Sequence, residues 1–207
     1  MTSITDFACR GEHNRIVISL QTLFSPQSKP STLSDPLAHL LACHRRIEER
    51  LATLERAAEH LNDRTGAALV AFRSVFEFMD SAGVLHTADE EESLFPRLMP
   101  ALERGERTYL AGLEHDHTAA HLIYTELKAK LELVQTCPSA RAGVQGLVER
   151  LTELYRRHIA SEDEVLQAYA RRSLSSAQLD EIAAEMRLRR ATPPASASGQ
   201  GGPENAR

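Results

Sequence analysis

From Asp35 onward, apolar residues recur at three- and four-residue intervals through four long stretches, each ended by a cluster of helix breakers. The first follows Asp35-Pro36, an aspartate N-cap with proline at the first helical position, and carries Leu40, Leu41, Ile47, Leu51 and Leu54 up to about Leu61. A second starts near Thr65 and carries Leu69, Phe72, Val75, Phe76 and Met79 toward Leu94, with Pro96 and Pro100 ending it. A third runs from about Glu106 to Val134 and a fourth from about Ala140 to Arg172. A shorter stretch follows Ser175-Ser176, where Leu179, Ile182, Met186 and Leu188 keep the helical period. No β-branched alternation of the strand type competes with these periods. The pattern predicts an all-α fold: an up-down-up-down four-helix bundle over residues 35–172 and a short C-terminal helix over 173–190. Residues 1–34 hold one apolar run, Ile16-Val17-Ile18-Ser19-Leu20, and match no element. Residues 191–207, rich in Pro, Ser and Gly, are too poor in apolar side chains to order themselves and read as a disordered tail.

Four histidines, His44, His86, His117 and His158, stand one to each long stretch at positions whose neighbouring pairs are centred on the breakers. The His44–His86 midpoint falls in Asn62-Asp63-Arg64-Thr65-Gly66, that of His86–His117 at Pro100-Ala101, and that of His117–His158 at Cys137-Pro138-Ser139. Equal rise along antiparallel helices then brings the four imidazoles to one depth. On steps of about 100° per residue, Met79 falls about 20° and Glu90 about 40° from His86. Leu151 and Glu162 take the same positions around His158, as Leu110 and His121 do around His117. Leu40, Ile47 and Leu51 flank His44. Spacing alone carries little: with 29 acids among 207 residues, nine histidines meet one four places on about 1.3 times by chance. The coincidence of spacing, facing and turn midpoints carries the argument. Five histidines and two glutamates (His44, His86, Glu90, His117, His121, His158 and Glu162) converge in one apolar core, and unpaired buried carboxylates cost several kcal/mol. Cations are the economical way to hold them. Tyr124, one turn beyond His121, faces inward as core or as a hydrogen-bond donor behind a ligand. His13, His39, His60 and His115 read as surface, and Glu91, Glu92, Asp163 and Glu164 as solvated charge that helps draw cations in.

Composition narrows the class. A net charge of -5 without a basic stripe argues against a nucleic-acid partner. No run approaches the roughly 20 apolar residues of a membrane span, and the N-terminus has no signal-peptide core, so a cytoplasmic protein is expected. Cys9, Cys43 and Cys137 are too few and too scattered for a disulfide frame or a metal knuckle and read as reduced, inert thiols. Mixed imidazole and carboxylate donors leave iron, manganese, zinc or copper open. Seven donors exceed the needs of one ion, and two glutamates flanked by imidazoles suit bridging, so a pair of irons is the economical choice. A ferritin-like carboxylate oxidase calls for Glu-x-x-His on two helices, and only Glu114 to His117 fits.

His44-Arg-Arg-Ile-Glu, His86-Thr-Ala-Asp-Glu90-Glu-Glu-Ser-Leu-Phe-Pro, Asp116-His117-Thr-Ala-Ala-His121 and His158-Ile-Ala-Ser-Glu162-Asp-Glu resemble the four ligand helices of a bacterial hemerythrin-like protein, the HHE cation-binding domain. The likeness spans roughly residues 35–172. It implies terminal positions on one iron for His44 and His86, terminal positions on the other for His117, His121 and His158, and bridging roles for Glu90 and Glu162. The fourth helix departs from the oxygen carriers, in which an aspartate follows the histidine by five residues; Glu162 is preferred to Asp163 here on facing. The resemblance implies a di-iron module that binds or senses oxygen, nitric oxide or peroxide. The alternative is a di-iron enzyme or iron donor in detoxification or iron–sulfur cluster repair. Turnover would draw electrons from a partner protein, because the sequence carries no flavin, haem or iron–sulfur motif. The C-terminal helix leaves monomer and dimer both open.

Overall fold

The computed structural model describes residues 33–134 and 136–191; the expectations placed on residues 1–32 and 192–207 lie outside them. Helix α1, Pro36–Glu59, opens on Asp35, whose carboxylate accepts from the Leu37 and Ala38 amides at 2.9 and 3.1 Å. The cap satisfies two amides that have no partner in the first turn. Rod α2 is continuous from Thr65–Phe78 through a π turn at Met79–Gly83, the α segment Val84–Ala88, a second π turn at Asp89–Leu94 and the final turn Phe95–Leu98. Helix α3 is Arg104–Val134. Rod α4 runs from Val144–Ser161 through a π turn at Glu162–Leu166 to Gln167–Ser173. Gly143 starts it in the left-handed region at φ 84°, where a side chain would be strained. Helix α5 is Ser176–Ala191.

The four long elements run antiparallel through short connections, and no strand occurs among the described residues. The bundle is all-α, as the periodicity predicts. Two boundaries differ from expectation. Rod α2 continues through Pro96 to Leu98, because that proline sits where the hydrogen-bond register returns from i→i+5 to i→i+4 and a missing N–H is tolerated. Rod α4 starts at Val144, after a 3₁₀ turn at Pro138–Arg141 takes up the residues expected to open it.

The core is split into two apolar layers. One gathers Ile47, Leu51, Leu54, Phe72, Val75, Met79, Leu127, Val148, Leu151 and Ile159. The other gathers Leu37, Leu40, Leu94, Phe95, Leu98, Leu110, Leu113, Leu166, Ala170 and the inner face of α5, Ile182, Ala183 and Met186. Ile182 and Met186 are fully buried, each contributing about 1.5–3 kcal/mol to docking α5. His44 lies between Leu40 and Ile47 on α1, and His158 between Leu151 and Leu166 on α4, so the polar residues occupy the level between the two layers.

Candidate metal centre

Four helices each send one imidazole into that level. His44, His86 and His158 are buried, and His117 is nearly so, at 9% side-chain exposure. Glu90 and Glu162 stand among them, 0% and 1% exposed, each in the first residues of a π turn. A π turn inserts backbone that re-aims side chains and is frequent at functional sites. Here both interruptions fall where a carboxylate enters the core.

The geometry divides into two overlapping sets of donors. His44, His86, Glu90 and Glu162 each offer an atom within 4.8 Å of the other three, and so do Glu90, His117, His158 and Glu162. Both carboxylates therefore belong to both sets. Glu90 presents Oε1 to His44 Nε2 at 3.6 Å and to His86 Nε2 at 3.4 Å, and turns Oε2 toward His117 Nε2 at 3.4 Å. Glu162 Oε2 faces the Nε2 atoms of His44 and His158, both at 3.2 Å. Donors held about 2.0–2.2 Å from one divalent ion, the bond lengths typical of zinc, stand about 3–3.6 Å from each other, which is the spacing here.

The unsatisfied atoms point the same way. Both oxygens of Glu90 and of Glu162, Nε2 of His44 and both ring nitrogens of His158 are buried without a hydrogen-bond partner. Buried polar atoms are almost always partnered, and such a concentration at one level calls for a ligand. Without metal, protons do part of that work. Burial opposes charge on His44, but the facing Glu162 and Glu90 carboxylates outweigh it and raise its pKa to about 11. Burial likewise opposes charge on His117, and Glu90 and Glu91 carry it up to about 9. Burial dominates at His86 and pushes it down. Glu90 loses to burial less than it gains from His86, His117 and His44, and lies well below the usual carboxylate range.

Beyond the donors sit further acids, two of which, Asp163 and Glu91, the helical facing places in solvent. His44 Nδ1 donates to Asp163 Oδ1 at 2.6 Å, and His117 Nδ1 donates to Glu91 Oε1 at 2.7 Å. Asp116 Oδ2 lies 3.7 Å from His158 Nδ1. The two hydrogen-bonded acids, Asp163 and Glu91, fix the orientation of the His44 and His117 rings, so that each Nε2, once its proton is displaced, is aimed at an ion, and they raise its basicity. Asp163 and Glu91 each follow a donor glutamate by one residue and reach across to the histidine of a neighbouring helix. Acids in unbroken runs, Asp89 to Glu92 and Glu162 to Glu164, are the signal that points to them. Phe95 stacks parallel to the His117 ring, 6.3 Å between centroids.

Two residues expected at the site stand apart from it. His121 belongs to neither donor set; it is exposed on the wall of a cavity of about 520 Å³ that also meets His117, Met79, Glu91, Tyr124 and Tyr155. The donor level is one imidazole per helix thick, and one turn farther along α3, about 5.4 Å, already opens onto that cavity. Tyr124 is buried, but its hydroxyl donates to Asp80 Oδ1 at 2.7 Å rather than to a donor residue. His115 is exposed, as expected.

The family model for the hemerythrin HHE cation-binding domain matches residues 35–170. The chain belongs to that family. The match spans the four helices that carry the six convergent donors, and it ends before α5. A comparison with curated proteins finds no match. For this hemerythrin-family chain, cation binding in a helical bundle thus stands on both the family match and the two His/Glu sets. No helix among the described residues is long and apolar enough to cross a membrane.

Proposed function

We propose that the chain is a non-haem di-iron protein that binds or senses oxygen, nitric oxide or peroxide inside its bundle. The observation that carries this reading is the sharing of Glu90 and Glu162 between two donor sets, with the two oxygens of Glu90 turned toward different histidines. Two ions with two common carboxylates account for that arrangement. Imidazole and carboxylate without thiolate suit iron. When bound, an iron pair supplies a redox-active centre to which a small diatomic or peroxide can bind.

The chain's own residues supply the rest. Nε2 of His44 and His86 would hold one ion and Nε2 of His117 and His158 the other, with Asp163 and Glu91 orienting the His44 and His117 rings. Apolar layers above and below keep bulk water from the level, with Phe95 laid over His117. The cavity beside His117 gives a small ligand a route in. The free thiols of Cys43 and Cys137 suit a reducing compartment such as the cytoplasm.

Stopped-flow mixing of the reduced, iron-loaded protein with oxygen, nitric oxide or hydrogen peroxide tests the reading. A stable adduct that forms and reverses supports binding or sensing. Sustained consumption of the ligand with an added electron donor replaces it with the enzyme reading, and no spectral response to any of the three rejects both.

A further inference from the structure

Helix α5 lies beyond the family match, yet its basic end closes on the π turn that carries Glu90. Asp89, the residue before Glu90, is 0% exposed. Arg189 Nη1 donates to Asp89 Oδ1 at 2.6 Å, and Arg190 Nη2 donates to Oδ2 at 2.6 Å. Arg190 Nη1 adds a second contact to Oδ1 at 3.1 Å, so the Arg190 fork is bidentate. Arg189 Nη2 reaches the Ser93 hydroxyl, itself 0% exposed, at 2.6 Å, and its Nε reaches Glu92 at 3.2 Å. One turn later Arg97 returns the grip by donating to Glu185 at 2.7 Å. Residues 89, 92 and 93 of a single π turn are thus held by two consecutive arginines of a helix otherwise docked through Ile182, Ala183 and Met186.

A buried carboxylate held by two guanidiniums is fixed in direction as well as in charge. Asp89 adjoins Glu90 in the chain, so its fixed direction limits how Glu90 can turn. The π conformation gives up regular i→i+4 bonding, and side chains have to hold it. We propose that α5 is a positioning element of the metal centre: Asp89, clamped by Arg189 and Arg190, aims Glu90 at both donor sets, so α5 docking and metal occupancy strengthen each other. The proposal rests on the reading of the Glu90–Glu162 cluster as a metal centre. Linkage makes it reciprocal: whatever factor docking adds to metal affinity, metal adds to docking. A helix outside the family domain then reports on the state of the centre.

Backbone hydrogen exchange of the full chain, measured anaerobically with and without ferrous iron and paired with iron analysis of the same samples, tests it. Ferrous iron should slow exchange across residues 176–191 in the native protein. In Asp89→Asn, slowing in α5 should vanish while slowing in α1 and α3 persists. That variant should also bind iron about 10–100-fold more weakly, the usual cost of losing an outer partner, and its ferrous ligand-field bands should shift. Native protein that binds two irons with exchange in 176–191 unchanged overturns the proposal and leaves the metal centre standing. Asp89→Asn that behaves as the native chain in affinity, spectrum and exchange overturns it as well. Native protein that binds no iron overturns the metal-centre reading, and this inference with it. If Asp89→Asn does not fold, the native comparison alone decides.

Discussion

Replacing Glu90 with glutamine separates a metal ligand from a structural ion. The glutamate is wholly buried, with His44, His86 and His117 Nε2 atoms at 3.6, 3.4 and 3.4 Å. Glutamine keeps its shape and loses its charge. In metal-free protein the Glu90 carboxylate is paired with protonated His44 and His117, and removing one partner of a buried ion pair costs about 3–5 kcal/mol, so Glu90→Gln should already melt below the native chain without iron, and the test lies in the rise that iron adds. With ferrous iron at about 100 times its dissociation constant, each site adds about 2.7 kcal/mol, or about 5 kcal/mol for two. At about 2–4 °C per kcal/mol for a domain of this size, iron should raise the native melting temperature by roughly 10–20 °C. Glu90 serves both donor sets, so the variant should keep less than about 5 °C of that rise, on the same scale. Differential scanning calorimetry under anaerobic conditions reads all four states. A variant that melts as far below the native chain without iron as with it, or one that keeps the full rise, shows that the carboxylate braces the fold and does not hold iron.

Other expectations follow from the same geometry. His158→Ala should lose iron and the stability that iron brings, because metal binding is linked to folding, whereas His115→Ala and His121→Ala, both exposed, should keep native iron content by elemental analysis. Proton release should accompany loading: His44 and His117, raised to about 11 and about 9, carry protons at pH 7.5 that ions must displace, so a dye assay should record about two protons released per chain. Because those folded values exceed the unfolded one near 6.5, their contribution to metal-free stability is full below pH 6.5 and is lost as pH climbs through about 9 and about 11. Iron affinity should move oppositely and tighten over that range. Metal-free protein that gains stability between pH 7 and 10, followed by chemical denaturation, would contradict the assignment.

Much of this was legible because antiparallel helices with short connections turn sequence midpoints into depth. His44, His86, His117 and His158 meet at one level for that reason, and Glu90 and Glu162 follow from the helical stripe. The π turns were not legible. They change the angular step at residues 89–94 and 162–166, where a uniform 100° rotation turns Glu91 and Asp163 outward, although both accept from histidines on adjacent helices. The position of His121 outside the donor sets has a different origin. Its facing was right for the stripe, but it stands exposed on the wall of the cavity that His117 also lines, outside both donor sets, and burial, unlike facing, depends on what the other helices bring. The role of α5 was hidden too, because Arg189 and Arg190 meet Asp89 across about 100 residues of chain.

The central claim is two ions in one level joined by two carboxylates. Mössbauer spectroscopy of protein loaded with ⁵⁷Fe, with iron counted per chain on the same sample, tests it most directly. Two irons per chain, exchange-coupled to a diamagnetic ground state when both are ferric, is the expected result. A single iron per chain, or two that remain magnetically independent, would contradict it.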